Sequence, residues 1–160
     1  MPTPVPTFVR PANFPPAAEP RQEDSDAALL DCIGDVSGTH ALILSDDGLE
    51  LMCTLLQHGC AAATILRGND CVEPRTADLV VVPHATSTGA IEQAIKQAGR
   101  AMLPHGRIVL RVDSDLSGWV TFTAARLLRA QQFSAIRMRT LHSCTLVTAE
   151  RHAAGHAWSI

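Results

Sequence analysis

The chain has 160 residues, 46% of them apolar, which is enough for one domain with a real core. With a net charge of −3, one lysine (Lys96), 4% aromatic residues and no tyrosine, it lacks the interleaved basic and stacking side chains of a nucleic-acid binder. No apolar run reaches the roughly 18 residues that span a bilayer, so no membrane contact is expected.

The first residues, Met1-Pro-Thr-Pro-Val-Pro6, carry neither a basic nor an apolar leader region, and a cytoplasmic location is expected. Residues 1–22 hold seven of the ten prolines and read as an extended arm that Phe8, Val9 and Phe14 could dock. Residues 23–151 form the domain and 152–160 a tail.

Asp24 or Ser25 is expected to cap a short helix over Ala27–Ile33, which Gly34 ends. His40–Ser45 is a short apolar strand running into Asp46-Asp47-Gly48. From Leu49 the apolar period changes from two to about 3.6, which predicts a helix to His58 with Gly59 as its C-terminal cap. A buried parallel strand feeding a helix reads this way, and the turn between them faces the ligand crevice in open α/β sheets.

Ala62–Leu66 is a second strand and Leu79–Val82 a third, closed by Pro83. Ser87 or Thr88 caps a helix carrying Ile91, Ala94, Ile95, Ala98 and Met102 at helical spacing. Leu103–Gly106 reads as a turn, Arg107–Val112 as a fourth strand, and Ser117–Gln132 as a helix. Ala135–Thr140 and Cys144–Glu150 are joined by so few residues that they must pair antiparallel. The fold class is therefore α/β, a mostly parallel sheet with a C-terminal antiparallel hairpin.

Charge is unevenly spread. Residues 1–99 hold 13 acids and five bases, and residues 100–160 hold eight arginines and three acids. Arg126, Arg129, Arg137 and Arg139 could line an anion-attracting surface, or reflect an arginine-for-lysine bias. The five cysteines (Cys32, Cys53, Cys60, Cys71, Cys144) form no CxxC pair and read as small hydrophobes, so no metal site is expected from them. His152 and His156 have the i, i+4 spacing of a chelate but sit in a glycine-containing tail.

Three stretches carry a family resemblance: Ala77–Val82, Ala98–Leu110 with its Leu-x-Pro-x-Gly turn, and Leu127 through Glu150. Over residues 25–151 the chain resembles the class I S-adenosylmethionine-dependent methyltransferases, a Rossmann-like family. The resemblance implies a three-layer Rossmann-like domain, S-adenosylmethionine as cofactor, and methyl transfer to an unknown acceptor.

Carried to this sequence, the family pattern makes Ser45, Asp46, Asp47, Gly48, Arg67, Asp70 and Pro83 the cofactor-binding candidates. His84, at the crevice edge, is the weak catalytic candidate as a general base. Each has a plainer alternative: Asp46 and Asp47 as caps of the following helix, Asp70 as a solvated loop acid, and His84 as a polar loop residue. Arg67 could instead meet a 2′-phosphate, although no G-x-G-x-x-G accompanies it.

The sequence departs from the family at the crevice. The first turn has one glycine, Arg67-Gly68 stands where the second strand normally ends in an acid, and about 11 residues (67–77) replace a helix and a strand. These departures motivate the alternative of a non-catalytic binding or regulatory module acting through protein partners. An abbreviated sheet also makes a homodimer an expectation.

Overall fold

The computed structural model describes residues 22–68, 70–113 and 118–152, with side chains from residue 26 onward. The proline-rich arm, apart from Gln22, lies outside the described residues, as do His156 and the rest of the tail after 152. The elements run α1 (Gln22–Ile33), β1 (His40–Leu44), α2 (Leu49–Gln57), β2 (Ala62–Leu66), β3 (Ala77–Ala85), α3 (Thr88–Ala101), β4 (Met102–Asp113), α4 (Trp119–Ala130), β5 (Phe133–Thr140) and β6 (Cys144–Arg151).

The six strands form one mixed sheet in the order β2-β1-β3-β4-β6-β5. β2, β1, β3 and β4 are parallel, while β6 pairs antiparallel with both β4 and β5. β1 therefore lies inside the sheet beside β3, as its apolar run requires, but the sheet is centred on β3 and β4. No helix among the described residues is long and apolar enough to cross a membrane.

The strand side chains alternate between two apolar clusters, as a period of two dictates. Leu42, Leu44, Val80, Val82, Ile108, Leu110 and Val112 pack with Ile91, Ile95 and Ala98 of α3 and Ala124 and Leu128 of α4. Ala41, Ile43, Leu79, Val81 and Val109 pack with Leu29 and Ile33 of α1 and Leu55 of α2. Strands buried on both faces read as continuous apolar runs, which is why Leu79–Val82 was legible.

Three of the expected helix ends are observed. Gly34 takes φ +68° and its N–H donates to the Leu30 carbonyl. Gly59 takes φ +93°, and the Cys60 N–H reaches back to the Leu55 carbonyl at 3.1 Å, a Schellman-type ending. The Ser87 hydroxyl accepts from the Ala90 N–H at the start of α3.

Several boundaries differ from expectation. α1 begins at Gln22, so Asp24 and Ser25 lie within it rather than at its N-cap. β3 continues past Pro83 to Ala85, because the pairing with β4 shifts between Val82 and Ala85, and a bulge needs no N–H from proline.

α4 begins at Trp119 behind an N-terminal Gly118 with φ +67°. Met102 opens β4 rather than ending α3. The expected Leu103–Gly106 turn is a bulge inside β4: its pairs advance from Met102 to Arg107 while β3 advances only from Ala77 to Leu79. Gly106 is required there, because a Cβ would overlap the Met102 side chain.

Among the described residues, the link from β2 to β3 contains no helix or strand. It must pass over β1 to reach β3, and it leaves a cavity of about 430 Å3 between Cys71–Glu73 and the sheet face formed by Leu42, Ala62 and Thr64. This space is what a crossover without a helix leaves uncovered.

Gly48 is fixed by packing rather than by its backbone angle. Its φ of −108° suits any residue, but an added Cβ would lie 2.8 Å from Cγ2 of the fully buried Ile43. Gly48→Ala should lower stability by about 1–3 kcal/mol in urea unfolding, as overpacking does. Gly68→Ala, with nothing within 4 Å, should change it by less than about 0.5 kcal/mol.

Candidate functional site

Because β1, β2 and β3 are parallel, their carboxyl ends gather at one edge of the sheet, where the following turns can converge on a ligand. A cavity of about 370 Å3 opens there between these turns and α3. Leu44, Leu66 and Val82 form its apolar floor, and Ser45, Asp46, Asp47, Gly68, His84, Gln93 and Gln97 supply polar groups. A second cavity, of about 270 Å3, lies under α1 and α2, lined by Asp26, Leu29, Leu30, Glu50, Leu51, Thr54 and Pro83. Asp47 and His84 line both, so they form the wall between the two.

The Ser45 hydroxyl accepts from the Asp47 N–H at 3.1 Å, and the Ser45 N–H donates to the Leu66 carbonyl, joining the ends of β1 and β2. Asp46 and Asp47 are exposed just ahead of α2. They do not cap it: Gly48 holds the N-cap position, with no side-chain cap hydrogen bond. Their carboxylates have no protein hydrogen bond or ion pair among the described residues, beside the positive end of the helix dipole.

Arg67 and Asp70 close on each other instead of facing the cavity. The Arg67 N–H donates to Asp70 Oδ2 at 2.9 Å, and the Asp70 N–H returns a bond to the Arg67 carbonyl. Between them Gly68 lines the cavity, with its carbonyl held by Gln93 Nε2 at 2.6 Å. Pro83 lines the cavity under α1 and not the one against α3. The structure thus brings Ser45, Asp46, Asp47 and His84 to one cavity, gives Gly48 a packing role, and ties the Asp70 carboxylate to the Arg67 backbone.

Sequence reasoning missed Gln93 and Gln97, an i, i+4 pair on the polar side of α3; only the apolar period of that helix was read. It also missed Asp26, Glu50 and Arg111. Arg111 lies on β4 and is 3% exposed, the one buried charged residue among those described. Its Nη1 meets Asp26 Oδ1 at 2.6 Å, and its Nη2 lies 2.9 Å from both ring nitrogens of His84. An arginine inside an apolar strand was the available signal.

Among the described residues no three His, Cys, Asp or Glu side chains are grouped so as to hold a metal ion.

No family model and no curated protein sequence matches the chain. Solved structures do. An S-adenosylmethionine-dependent methyltransferase from Mesorhizobium loti superposes with a TM-score of 0.64 at 12% identity, over 78% of this chain and 96% of that one. An S-adenosylmethionine-dependent O-methyltransferase from Thermotoga maritima gives 0.61 at 11% identity, over 82% and 66%. The 1,6-didemethyltoxoflavin-N1-methyltransferase of Burkholderia thailandensis, solved with bound 1,6-didemethyltoxoflavin and S-adenosylhomocysteine, gives 0.58 at 13%, over 81% and 77%. At these identities the likeness concerns architecture, and it agrees with the strand order and the terminal antiparallel strands described above. The chain has the fold of the class I S-adenosylmethionine-dependent methyltransferases.

Proposed function

We propose that the protein binds S-adenosylmethionine in the cavity between α3 and the carboxyl ends of β1–β3 and transfers its methyl group to an acceptor in the adjoining cavity under α1. The observation that carries this reading is the pair of carboxylates, Asp46 and Asp47, at the end of β1, without a partner among the described residues. The cavity volume lies within the range of small-molecule sites, and Gly68 leaves its wall open.

The residues fit such a cofactor. Asp46 and Asp47 would accept hydrogen bonds from ribose hydroxyls or from the ammonium group. Gln93 and Gln97 would read polar edges of the base, and Leu44, Leu66 and Val82 would pack against its face. Bound there, the cofactor supplies an electrophilic methyl group on a sulfonium. The protein's task in such a transfer is alignment and exclusion of water, since a direct displacement needs a base only when the acceptor must lose a proton. α1 supplies the cover, and Asp47 and His84 stand where the two cavities meet.

A second reading, a non-catalytic module working through protein partners, is favoured by a different observation. The Arg67–Asp70 turn satisfies itself, and Gly48 is taken up by packing, so two of the usual cofactor contacts are spent on the fold. Calorimetric titration with S-adenosylhomocysteine separates the readings. Binding is expected, and Asp46→Asn or Asp47→Asn should weaken it by about ten- to a hundredfold, the cost of a lost charged hydrogen bond. Absence of heat at millimolar ligand would leave the binding module.

The partner reading extends to a homodimer. The edge strand β2, Ala62–Leu66, carries no charge, proline or bulge, whereas the opposite edge, β5, carries Arg137, Arg139 and a register shift. Sedimentation should show a species of twice 17.1 kDa that Thr64→Lys converts to monomer; a wild type that sediments only as monomer would refute it.

A further inference from the structure

Helix α2 has two apolar faces, and its own sheet buries only one of them. Leu55 turns to the sheet and is 1% exposed. Glu50, Leu51 and Thr54 turn toward α1, since they line the cavity beneath it with Leu29 and Leu30. Leu49, Met52, Cys53 and Leu56 recur at i, i+3, i+4 and i+7 and form a second stripe. At about 100° per residue, Leu55 stands between Leu51 and Met52 around the helix, so this stripe lies on the flank away from α1. That flank is the one over the edge strand β2. Met52, at its inner margin, is partly buried against the same cluster as Ala63 and Ile65 of β2. Leu49 is 60% exposed, Leu56 is 44% exposed, and Cys53 is exposed.

The stripe and the β2 edge form one continuous surface. β2, Ala62–Leu66, ends the sheet, and among the described residues no strand pairs with its outer side. Five residues of strand edge make a small contact, whereas a specific interface buries about 1,200–2,000 Å2 in total, with an apolar centre. The stripe supplies apolar area directly beside the edge.

A second copy of the chain reaches both by symmetry. Identical edge strands that pair antiparallel are related by a two-fold axis perpendicular to the sheet, which keeps both copies of α2 on one face, side by side and antiparallel. A two-fold lying in the sheet along the strands would pair them parallel and send the helices to opposite faces, leaving both stripes in water. Because α2 covers the two strands it joins, its axis and that of its mate would be about two strand spacings apart, or about 10 Å. Packed helices sit about 8–10 Å apart.

We propose that α2 is the helical half of a self-interface: two copies pair β2 antiparallel and close Leu49, Met52, Cys53 and Leu56 of each α2 against the same stripe of the other. The proposal rests on the homodimer reading above and adds to it the apolar surface that stabilises the pairing and fixes its orientation. Leu49 of one copy meets Leu56 of the other, and Cys53, at mid-helix, lies near its own counterpart.

The test is sedimentation of the full chain. Wild type and Thr64→Lys establish whether a dimer forms and whether it uses β2. Leu49→Glu and Leu56→Glu, at exposed positions and checked for folding by circular dichroism, should each raise the dissociation constant about tenfold or more, because each sets a charge against an apolar surface. Leu49→Glu combined with Leu56→Lys should recover much of the loss, since antiparallel packing sets each carboxylate against an ammonium of the other copy. In a Cys71→Ser background a short bismaleimide should link the dimer, and adding Cys53→Ser should abolish the link.

A monomeric wild type would remove the homodimer reading and this proposal together. A dimer that Thr64→Lys breaks, but that both glutamate variants leave at wild-type strength, would keep the β2 pairing and overturn the α2 interface. So would a combined Leu49→Glu, Leu56→Lys variant that associates no more tightly than Leu49→Glu alone, or a cross-link that survives the loss of Cys53.

Discussion

The structure depends on one constraint: the central strand β3 is buried on both faces. Leu79, Val80, Val81 and Val82 are all 3% exposed or less, so neither face of the sheet can be left to water. Helices must cover both sides, and parallel neighbours must be joined by crossovers rather than hairpins. Both requirements deliver the strand ends to a common edge, and the turns after β1, β2 and β3 meet there for that reason alone. The crevice is a by-product of burying β3.

Where the chain economises, the consequences appear at a predictable place. A crossover from β2 to β3 without a helix cannot cover the sheet face it passes, and the largest cavity described opens under Cys71–Glu73. It runs along the face of β1 and β2 from His40, Ala62 and Ala77 at their amino ends to Leu66, and the turns after β1 and β3 do not line it. Size therefore does not mark the site here. The smaller cavity against α3 has the polar groups and the strand-end position that ligand chemistry needs.

The crevice also shows how one residue type divides between fold and chemistry. Gly48, in a turn where glycine suggests close approach to a ligand, is required because Ile43 leaves no room for a Cβ. Gly68 has open space around it and lines the cavity. Asp70 spends a carboxylate oxygen on the Arg67 N–H, while Asp46 and Asp47 keep theirs available. A motif read by residue type alone would score these pairs alike.

The sequence by itself determined the elements, because the signals are local. Double-sided burial writes continuous apolar runs at Leu79–Val82 and Ile108–Leu110, helical covering writes the spacing of Ile91, Ala94, Ile95 and Ala98, and Gly34, Gly59 and Ser87 mark helix ends through their own backbone or hydroxyl. It also placed Ser45, Asp46, Asp47 and His84 at the crevice edge, since position after a parallel strand is a matter of topology. Tertiary structure alone decided the rest. The run through Pro83 and the bulge at Leu103–Gly106 follow from register with a neighbour distant in sequence. The roles of Gly48, Asp70 and Arg111 follow from which atoms fold against them. Arg111 meets a helix 85 residues away and a histidine 27 residues away, and no periodicity within β4 encodes either contact.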